Sequence, residues 1–524
     1  MLRMSLVLAA LLAALAAAPL QGEEPPKPDA EGLSLTVYRD SEELQRFYQQ
    51  YGGGYAGYRY YDPARGQYVE RLPGWGVVKV RRKLAFQEGL NVVRFQDVAA
   101  HIDATTVLVT SLTDPQGTFV QEQNYEYDLV GPDKLLQKYI DRPLAVAAEG
   151  GEVQGELLSY DNANLVLRTS DQTNPIRVIS RPQNVREIRF SALPGGLITR
   201  PTLVWHLVAK KSGQHLVQAT YHTGNITWKA DYTATVSGDE KSLDLAAWVT
   251  IENRSGAVYP DARLKLVAGD VHRVLPAQLR YQMAQYGGRM ERGRDGGGRP
   301  QFQEKSFFEY HLYTLGRPAS LENNSEKQIE LFNPVSGVPV KKRLVYYGGR
   351  GMYTYGGGSG PNQDRNFGLQ CNPKVDIYLE LKNAKEAGLG IPLPAGRMRV
   401  YKRDLDDKAM EFIGEDEVDH TPKDEVLRLR MGSAFDVTGE RRQTDFQVKY
   451  NEHWLTESFE IKIRNHKTED IEVMVQEDLY RWVNAEITVS SHKHEKLTPQ
   501  RALFTLQVPK DQEAALTYTV RYTW

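Results

Sequence analysis

Strict alternation of apolar and polar residues marks the last nine positions of the chain, LTYTVRYTW. The apolar set occupies every second position: Leu516, Tyr518, Val520, Tyr522 and Trp524. Successive side chains of a β-strand point to opposite faces, so this pattern predicts a strand with one apolar and one polar face. The pattern fits a core strand of a sandwich and a strand of a membrane barrel equally well.

The same alternation recurs along most of the chain, in runs such as GWGVVKVRRKLAF, WKADYTATVS, KVDIYLELKN and FEIKIRN. Gly, Asp and Asn turns separate these runs at short intervals. Helical patterning is confined to DSEELQRFYQQY and GPDKLLQKYID, which are too short to build a helical domain. The chain is therefore predicted to be all-β, with tandem antiparallel β-sandwiches.

Changes in run length and composition predict the domain boundaries. The predicted divisions are a signal peptide at 1–22, a linker at 23–31, an N-terminal β-sandwich at 32–130, a short helix with a small β-barrel-like segment at 131–195, a β-sandwich at 196–345 with a loop insertion at 281–300, a Gly/Tyr-rich loop at 346–370 and a C-terminal β-sandwich at 371–524.

The first residues, MLRMSLVLAALLAALAAAPLQG, join one Arg, an apolar run and a stretch of small residues. This order is typical of a secretory signal peptide. It predicts a secreted or periplasmic protein whose mature chain begins near Glu23 and has no integral membrane span. The mature chain has no cysteine at its start, which excludes a lipoprotein anchor.

Charge and cysteine content restrict the partners and the chemistry. The net charge of −2 argues against nucleic acid, because phosphate binding relies on a concentrated basic surface. Cys371 is the only cysteine and cannot form an internal disulfide. It is interpreted as a buried or loop thiol rather than a nucleophile.

The short strands also carry dense charge, as in IKIRNHKTEDIEV. A membrane barrel needs strands of about ten residues with continuous apolar outer faces, so a soluble sandwich is favoured over an outer-membrane barrel. In the favoured interpretation Trp524 fixes the C-terminus against a sandwich.

Searches for catalytic and metal-binding motifs give no strong candidate. Asp404, Asp406 and Glu415 have part of a calcium-loop spacing, but the intervening residues lack the remaining ligand and the Gly, so a hairpin turn is predicted. His492 and His494 project to the same side of an extended chain, as two ligands of a metal site would, but no third ligand is visible, so a solvated strand end is predicted. We predict no cofactor, no metal and no catalytic residue.

Three insertions share a composition rich in Gly, Tyr and Arg: YGGGYAGYRYYDPARG, YGGRMERGRDGGGRP and YYGGRGMYTYGGGSGP. Such segments bury little apolar surface, so surface loops are predicted. The alternative is that their Tyr and Arg side chains contact a sugar or another chain.

Five separated stretches carry a family resemblance: YHTGNITWKADYTATV, LDLAAWVTIENRSGAVYPDARLKLVAGDVHR, GIPLPAGRMRVYKRD, FIGEDEVDHTPKDEVLRLRMGSAFDVTGERRQTDF and ALTYTVRYTW. Together they resemble the bacterial family called domain of unknown function 4139, related to mucoidy-inhibitor-A-like proteins, over about residues 200–524. The resemblance implies an exported bacterial protein. It implies no catalytic residue, because the family has no assigned reaction.

The shared stretches supply two sets of candidate residues. The predicted structural core is Trp228, Tyr232, Trp248, Tyr522 and Trp524. The candidate polar or binding residues are Asp270, Arg273, Glu440, Arg441, Arg442 and Asp445. Two interpretations of the polar set stay open: a charge-paired loop network, and a ligand cleft whose Arg residues bind carboxylate or sulfate.

The predicted function is that of a non-enzymatic cell-envelope protein that binds or scaffolds an envelope glycan or protein. One alternative is a hydrolase of envelope polysaccharide or peptide that uses two carboxylates in one cleft. The other is the outer-membrane barrel. The sequence leaves the oligomeric state open.

Overall fold

The computed structural model describes residues 31–39, 59–62, 67–70, 74–126, 131–194, 197, 199–269, 271, 302–307, 310–349, 361–369, 371–404, 406 and 408–524. These residues form an all-β, sandwich-like protein, which confirms the predicted fold class. None of the described sheets forms a closed barrel.

The N-terminal part consists of seven strands. They are β1 (Gly32–Arg39), β2 (Arg59–Asp62), β3 (Gln67–Glu70), β4 (Gly74–Phe86), β5 (Gly89–Gln96), β6 (Ile102–Ser111) and β7 (Thr118–Glu126). Helix DSEELQRFYQQY of the sequence prediction lies outside the described residues.

The next part has two short helices and five strands. They are α1 (Pro132–Lys138), β8 (Pro143–Ala148), β9 (Gly151–Tyr160), β10 (Asn164–Arg168), β11 (Ile176–Ser180), α2 (Arg181–Asn184) and β12 (Val185–Phe190). Among the described helices, none combines the length and the apolar character that a membrane crossing demands.

The next nine described strands lie between Thr202 and Tyr347. They are β13 (Thr202–Ala209), β14 (Gly213–Gly224), β15 (Ile226–Val236), β16 (Ser242–Asn253), β17 (Tyr259–Ala268), β18 (Phe302–Phe307), β19 (Tyr310–Leu315), β20 (Ala319–Leu321) and β21 (Ser325–Tyr347).

The C-terminal part has ten strands and two 3₁₀ turns, at Lys385–Ala387 and Tyr450–Glu452. The strands are β22 (Lys374–Lys382), β23 (Gly396–Arg403), β24 (Met410–Val418), β25 (Val426–Lys449), β26 (Trp454–Asn465), β27 (Ile471–Asp478), β28 (Ala485–Ser490), β29 (His494–Thr498), β30 (Arg501–Val508) and β31 (Gln512–Thr523).

The N-terminal strands do not form a separate sandwich. Strand β1 pairs in parallel with β17, and β4 pairs with β14, so β1, β4 and β6 share one eight-stranded sheet with β14, β17, β18, β19 and β20. Strands β5 and β7 flank β13 in a three-stranded sheet. The predicted boundary near residue 130 therefore separates strands that share a core, because local alternation does not tell a strand which partner it will pair with.

The small segment between strands β7 and β13 is an open sheet with the order β11-β10-β9-β8-β12. Its apolar side packs on Leu136 and Tyr139 around helix α1, in a small core of its own. Strands β11 and β12 stay at the edges instead of meeting, so the predicted barrel-like closure is wrong for this segment.

Two long strands, β21 and β25, connect the two halves of the region with the family resemblance, residues 200–524. Strand β21 pairs with β16 at its start and with β22 and β27 at its end, and β25 pairs first with β22 and then with β26. One large core lies under the first halves of these strands, and a second lies under the C-terminal sandwich. Tyr346 and Tyr347, predicted to begin a loop, belong to β21, and Tyr346 is buried in the second core.

The core predicted from the family motifs is mostly inside. Trp228, Tyr232 and Tyr522 are buried, and Trp524 packs partly buried against the second core. Trp248 does not lie in the core as predicted, because 43 % of its surface is exposed. In β16 the inward positions are the odd-numbered ones, from Leu243 to Asn253, so the even-numbered Trp248 points to the other face.

Candidate functional site

The four candidate polar residues that the structure describes do not converge on one open site. Asp270 and Arg273 lie outside the described residues. Glu440, Arg442 and Asp445 are exposed on β25, where Glu440 pairs with Arg464 and Arg442 with Glu460, while Asp445 accepts a hydrogen bond from Gln447. Of these described residues Arg441 alone points inward: it has the opposite phase to Glu440 and Arg442, and a register shift between Gln443 and Asp445 leaves Asp445 exposed.

Arg441 forms a buried ion pair with Glu477 of β27. Its Nε donates to Glu477 Oε2 at 2.8 Å, and the two side chains are only 2 % and 1 % exposed. The guanidinium carbon lies 3.7 Å from the ring centroid of Phe459, which gives the cation a favourable aromatic face. The Arg441 Nη1 also donates to the carbonyl of Gly368 at 3.2 Å.

A second buried ion pair lies nearby. Arg481 follows strand β27 and donates from Nε to Glu457 Oε2 at 2.7 Å, and both side chains are completely buried. Burial of unpaired charges is costly, so each charge needs its partner in place. Two Arg and two Glu leave this group without formal net charge.

Arg481 uses its remaining donors to hold a surface loop. Its Nη1 donates to the carbonyls of Asn362 and Asp364 at 2.9 and 2.7 Å, and its Nη2 donates to the carbonyl of Phe367 at 3.0 Å. With the bond from Arg441 to Gly368, both buried Arg residues bind backbone carbonyls of residues 361–369. We call this segment the anchored loop.

Tyrosine hydroxyls donate further hydrogen bonds to the carboxylates. Tyr518 donates to Glu477 Oε2, and Tyr522 donates to Glu457 Oε1 at 3.1 Å. Burial, and next the neighbouring carboxylate charge, raises the pKa of both tyrosines well above the ordinary range. They therefore stay protonated and act as donors. We call the two ion pairs and these two tyrosines the buried network.

Burial and ion pairing act on the pKa of Arg441 in opposite directions. Burial by itself lowers this pKa, but the negative charge of Glu477 more than offsets burial and raises it well above its ordinary value. Arg441 is thus a permanent cation fixed by its partner.

Glycines allow the chain to approach the buried network closely. A Cβ on Gly348 would lie 2.7 Å from Glu477 Oε1, and a Cβ on Gly439 would lie 2.1 Å from a ring carbon of Tyr346. Glu477 Oε1 is buried and has no hydrogen-bond partner among the described residues. Cys371 lies beside the network as an exposed loop thiol, and its sulfur accepts the backbone N–H of Arg441 at 3.2 Å.

The arrangement can hold backbone in place, but it offers no open surface for a reaction. Its carboxylates are buried and already engaged by Arg and Tyr. Within the described ranges no group of three or more possible metal ligands is found. Asp404 and Asp406 lie in the turn of the β23–β24 hairpin, where the Asp404 N–H donates to the Ala409 carbonyl, as the sequence predicted.

Sequence reasoning found Arg441 and Tyr522 but missed Glu457, Glu477 and Arg481. A signal was present in the alternation. Glu457 occupies the apolar phase of β26, between Leu455 and Phe459, and Glu477 follows Val473 and Val475 in the inward phase of β27. A carboxylate in a buried phase predicts a buried partner of opposite charge.

Fold and site together define an all-β, sandwich-like protein with a buried ion-pair network under a surface loop. The model of a domain of unknown function, DUF4139, matches residues 217–524, which is more than half of the chain. The chain therefore belongs to the DUF4139 family. A search of curated proteins found no match.

Proposed function

We propose that this protein is an exported bacterial cell-envelope protein with a non-enzymatic binding or scaffolding role. Export is supported by the signal-peptide pattern of residues 1–22 and by the family resemblance. Partners are envelope glycans or proteins.

The observation that carries the non-enzymatic role is the internal use of two buried arginines, Arg441 of the GERRQTD motif and Arg481, which lies outside the motifs. The Arg441 and Arg481 side chains are 2 % and 0 % exposed, and their donors are taken up by carboxylates and by the anchored loop. A ligand cleft would need these guanidinium groups to face solvent. This favours the charge-paired loop network over the carboxylate- or sulfate-binding cleft.

The same geometry weighs against the hydrolase alternative at this site. A glycosidase needs two carboxyl groups on either side of a bound sugar. Glu457 and Glu477 are each paired with an Arg and buried, so a sugar has no access to them.

Export is tested by expressing the full chain in a Gram-negative host, fractionating the cells and determining the N-terminus by mass spectrometry. The expected result is a chain starting near Glu23 in the periplasm or the medium. A chain that keeps Met1 and stays in the cytosol would contradict export.

The absence of enzymatic activity is tested by incubating the purified protein with peptidoglycan and measuring released soluble fragments. No release above buffer is expected, while in-cell crosslinking captures an envelope component. Release by the native protein that disappears in Glu457→Gln or Glu477→Gln, with folding retained, would support the hydrolase instead.

A further inference from the structure

Three aromatic side chains lie on the outer surface of five neighbouring strands, in the order β24-β23-β15-β16-β21. Trp248 and Phe412 are 43 % and 55 % exposed, and Tyr401 is half-buried. Tyr401 and Phe412 pack edge to face, with ring centroids 5.7 Å apart. We call this surface the aromatic face.

Strand register places charged groups between the aromatic rings. Asp231 is the cross-strand neighbour of Trp248 and of Arg397. Arg399 lies 3.6 Å from a carboxylate oxygen of both Asp231 and Glu415. These contacts are longer than strong hydrogen bonds, so the groups keep capacity to bond a ligand.

The spacing of the aromatic side chains requires an extended ligand. Trp248 and Tyr401 are separated by two strand spacings, about 10 Å, and by four residues along the strand, about 13 Å. The two positions are therefore roughly 16 Å apart on a broad surface. A small compact ligand would reach one of them but not both.

We infer that the aromatic face binds an extended, neutral polysaccharide chain. This inference rests on the proposed binding role and assigns it a site. Exposed aromatic rings stack on the C–H faces of sugar rings, and carboxylates and guanidinium groups hydrogen-bond sugar hydroxyls. Asp231 and Glu415 balance Arg397 and Arg399, and Glu330 beside Trp248 and Glu417 beside Arg397 add negative charge, so this face does not attract a polyanion.

A protein partner fits this surface less well. Covering the face with a protein would remove water from ion pairs that are now hydrated, which is costly. The apolar groups are also two separate clusters, Trp248 alone and Tyr401 with Phe412 and Met410, rather than the continuous patch typical of protein interfaces. Hydroxyl groups and bridging water can instead replace the water around the charges.

The test is affinity electrophoresis of the mature protein in native gels containing laminarin, dextran or hydroxyethylcellulose, with alginate as an anionic comparison. Retardation by at least one neutral polysaccharide is expected. Trp248→Ala and the double variant Tyr401→Ala/Phe412→Ala should each weaken that binding by about tenfold. Tyr450→Ala is the matched control, since Tyr450 is 64 % exposed on the C-terminal sandwich.

Each outcome decides the inference. Retardation that is lost in both aromatic-face variants but kept in the control supports it, provided that thermal unfolding shows all variants folded. If Trp248→Ala does not change the retardation, the polysaccharide binds at another site. The inference about the aromatic face is then wrong, but the proposed binding role is retained. No retardation by any neutral polysaccharide, retardation by alginate alone, or a native dimer that Trp248→Ala makes monomeric would overturn it.

Discussion

Arg481→Met removes the most deeply buried cation of the network and leaves an unbranched apolar side chain that replaces only the stem of the arginine. The change leaves the Glu457 carboxylate without its cation and frees three well-bonded carbonyls of the anchored loop. Both partners are completely buried, so solvent does not screen the loss. Breaking such a pair costs about 3–5 kcal/mol of unfolding free energy.

Arg442→Met is the matched control. Arg442 lies on β25 and also pairs with a glutamate, Glu460 of β26, but its side chain is 66 % exposed. An exposed pair of this kind contributes about 0–1 kcal/mol. The two variants therefore separate the effect of burial from that of losing an Arg–Glu pair.

Urea unfolding gives the free energy of each variant, and hydrogen–deuterium exchange reports on residues 361–369. For Arg481→Met we expect both a large loss of stability and faster exchange in the anchored loop. The reasoning would be refuted if this variant lost no more stability than Arg442→Met, or if the loop kept its protection.

The remaining predictions concern close packing, alkaline pH and the first core. Gly439→Ala should lose about 1–3 kcal/mol in urea unfolding, because the new methyl group meets the Tyr346 ring, whereas Gly150→Ala, with open space around it, should change little. Burial raises the pKa of Tyr259 to about 12, so its neutral form stabilises the fold fully below about pH 10, and roughly 3 kcal/mol of unfolding free energy is lost as the pH rises through about 12. Tyr259→Phe should remove that part of the alkaline loss, and an unchanged pH profile would contradict the assignment. Trp228→Ala should lower the free energy of unfolding by about 3–5 kcal/mol, since the ring is buried and its indole N–H donates to a backbone carbonyl. A loss below about 1 kcal/mol in urea unfolding would contradict the core role of Trp228.

Much of the local structure follows from the sequence alone. Alternation correctly predicted that Leu516, Tyr518, Val520 and Tyr522 share a buried face, and the hairpin at Asp404 follows from its turn residues. Side-chain direction repeats every two residues, so a single strand contains this information.

The error at Trp248 shows the limit of residue type as a guide. Its size suggested a core position, although Leu243, Leu245 and Val249 of the same strand already define the opposite phase as buried. Here the alternation was the better evidence, and the exposed aromatic side chain became a candidate for binding.

Within GERRQTD the sequence could not distinguish the roles of neighbouring arginines. Arg441 and Arg442 are adjacent and chemically identical, yet one is buried against Glu477 and the other faces solvent beside Glu460. Their roles depend on which face of β25 meets the second core, and on strands that lie tens of residues away.

The sequence by itself determined the all-β class, the phase of the strands and membership of the family, because these depend on local alternation and on shared motifs. Only the tertiary structure decided that β1 pairs with β17 and that β21 and β25 contribute to both cores. It also decided that two ion pairs, each between residues far apart in the chain, hold one loop. Strand pairing and charge pairing join residues far apart in the chain, and many partners satisfy the same local pattern. Packing of the whole chain selects among them.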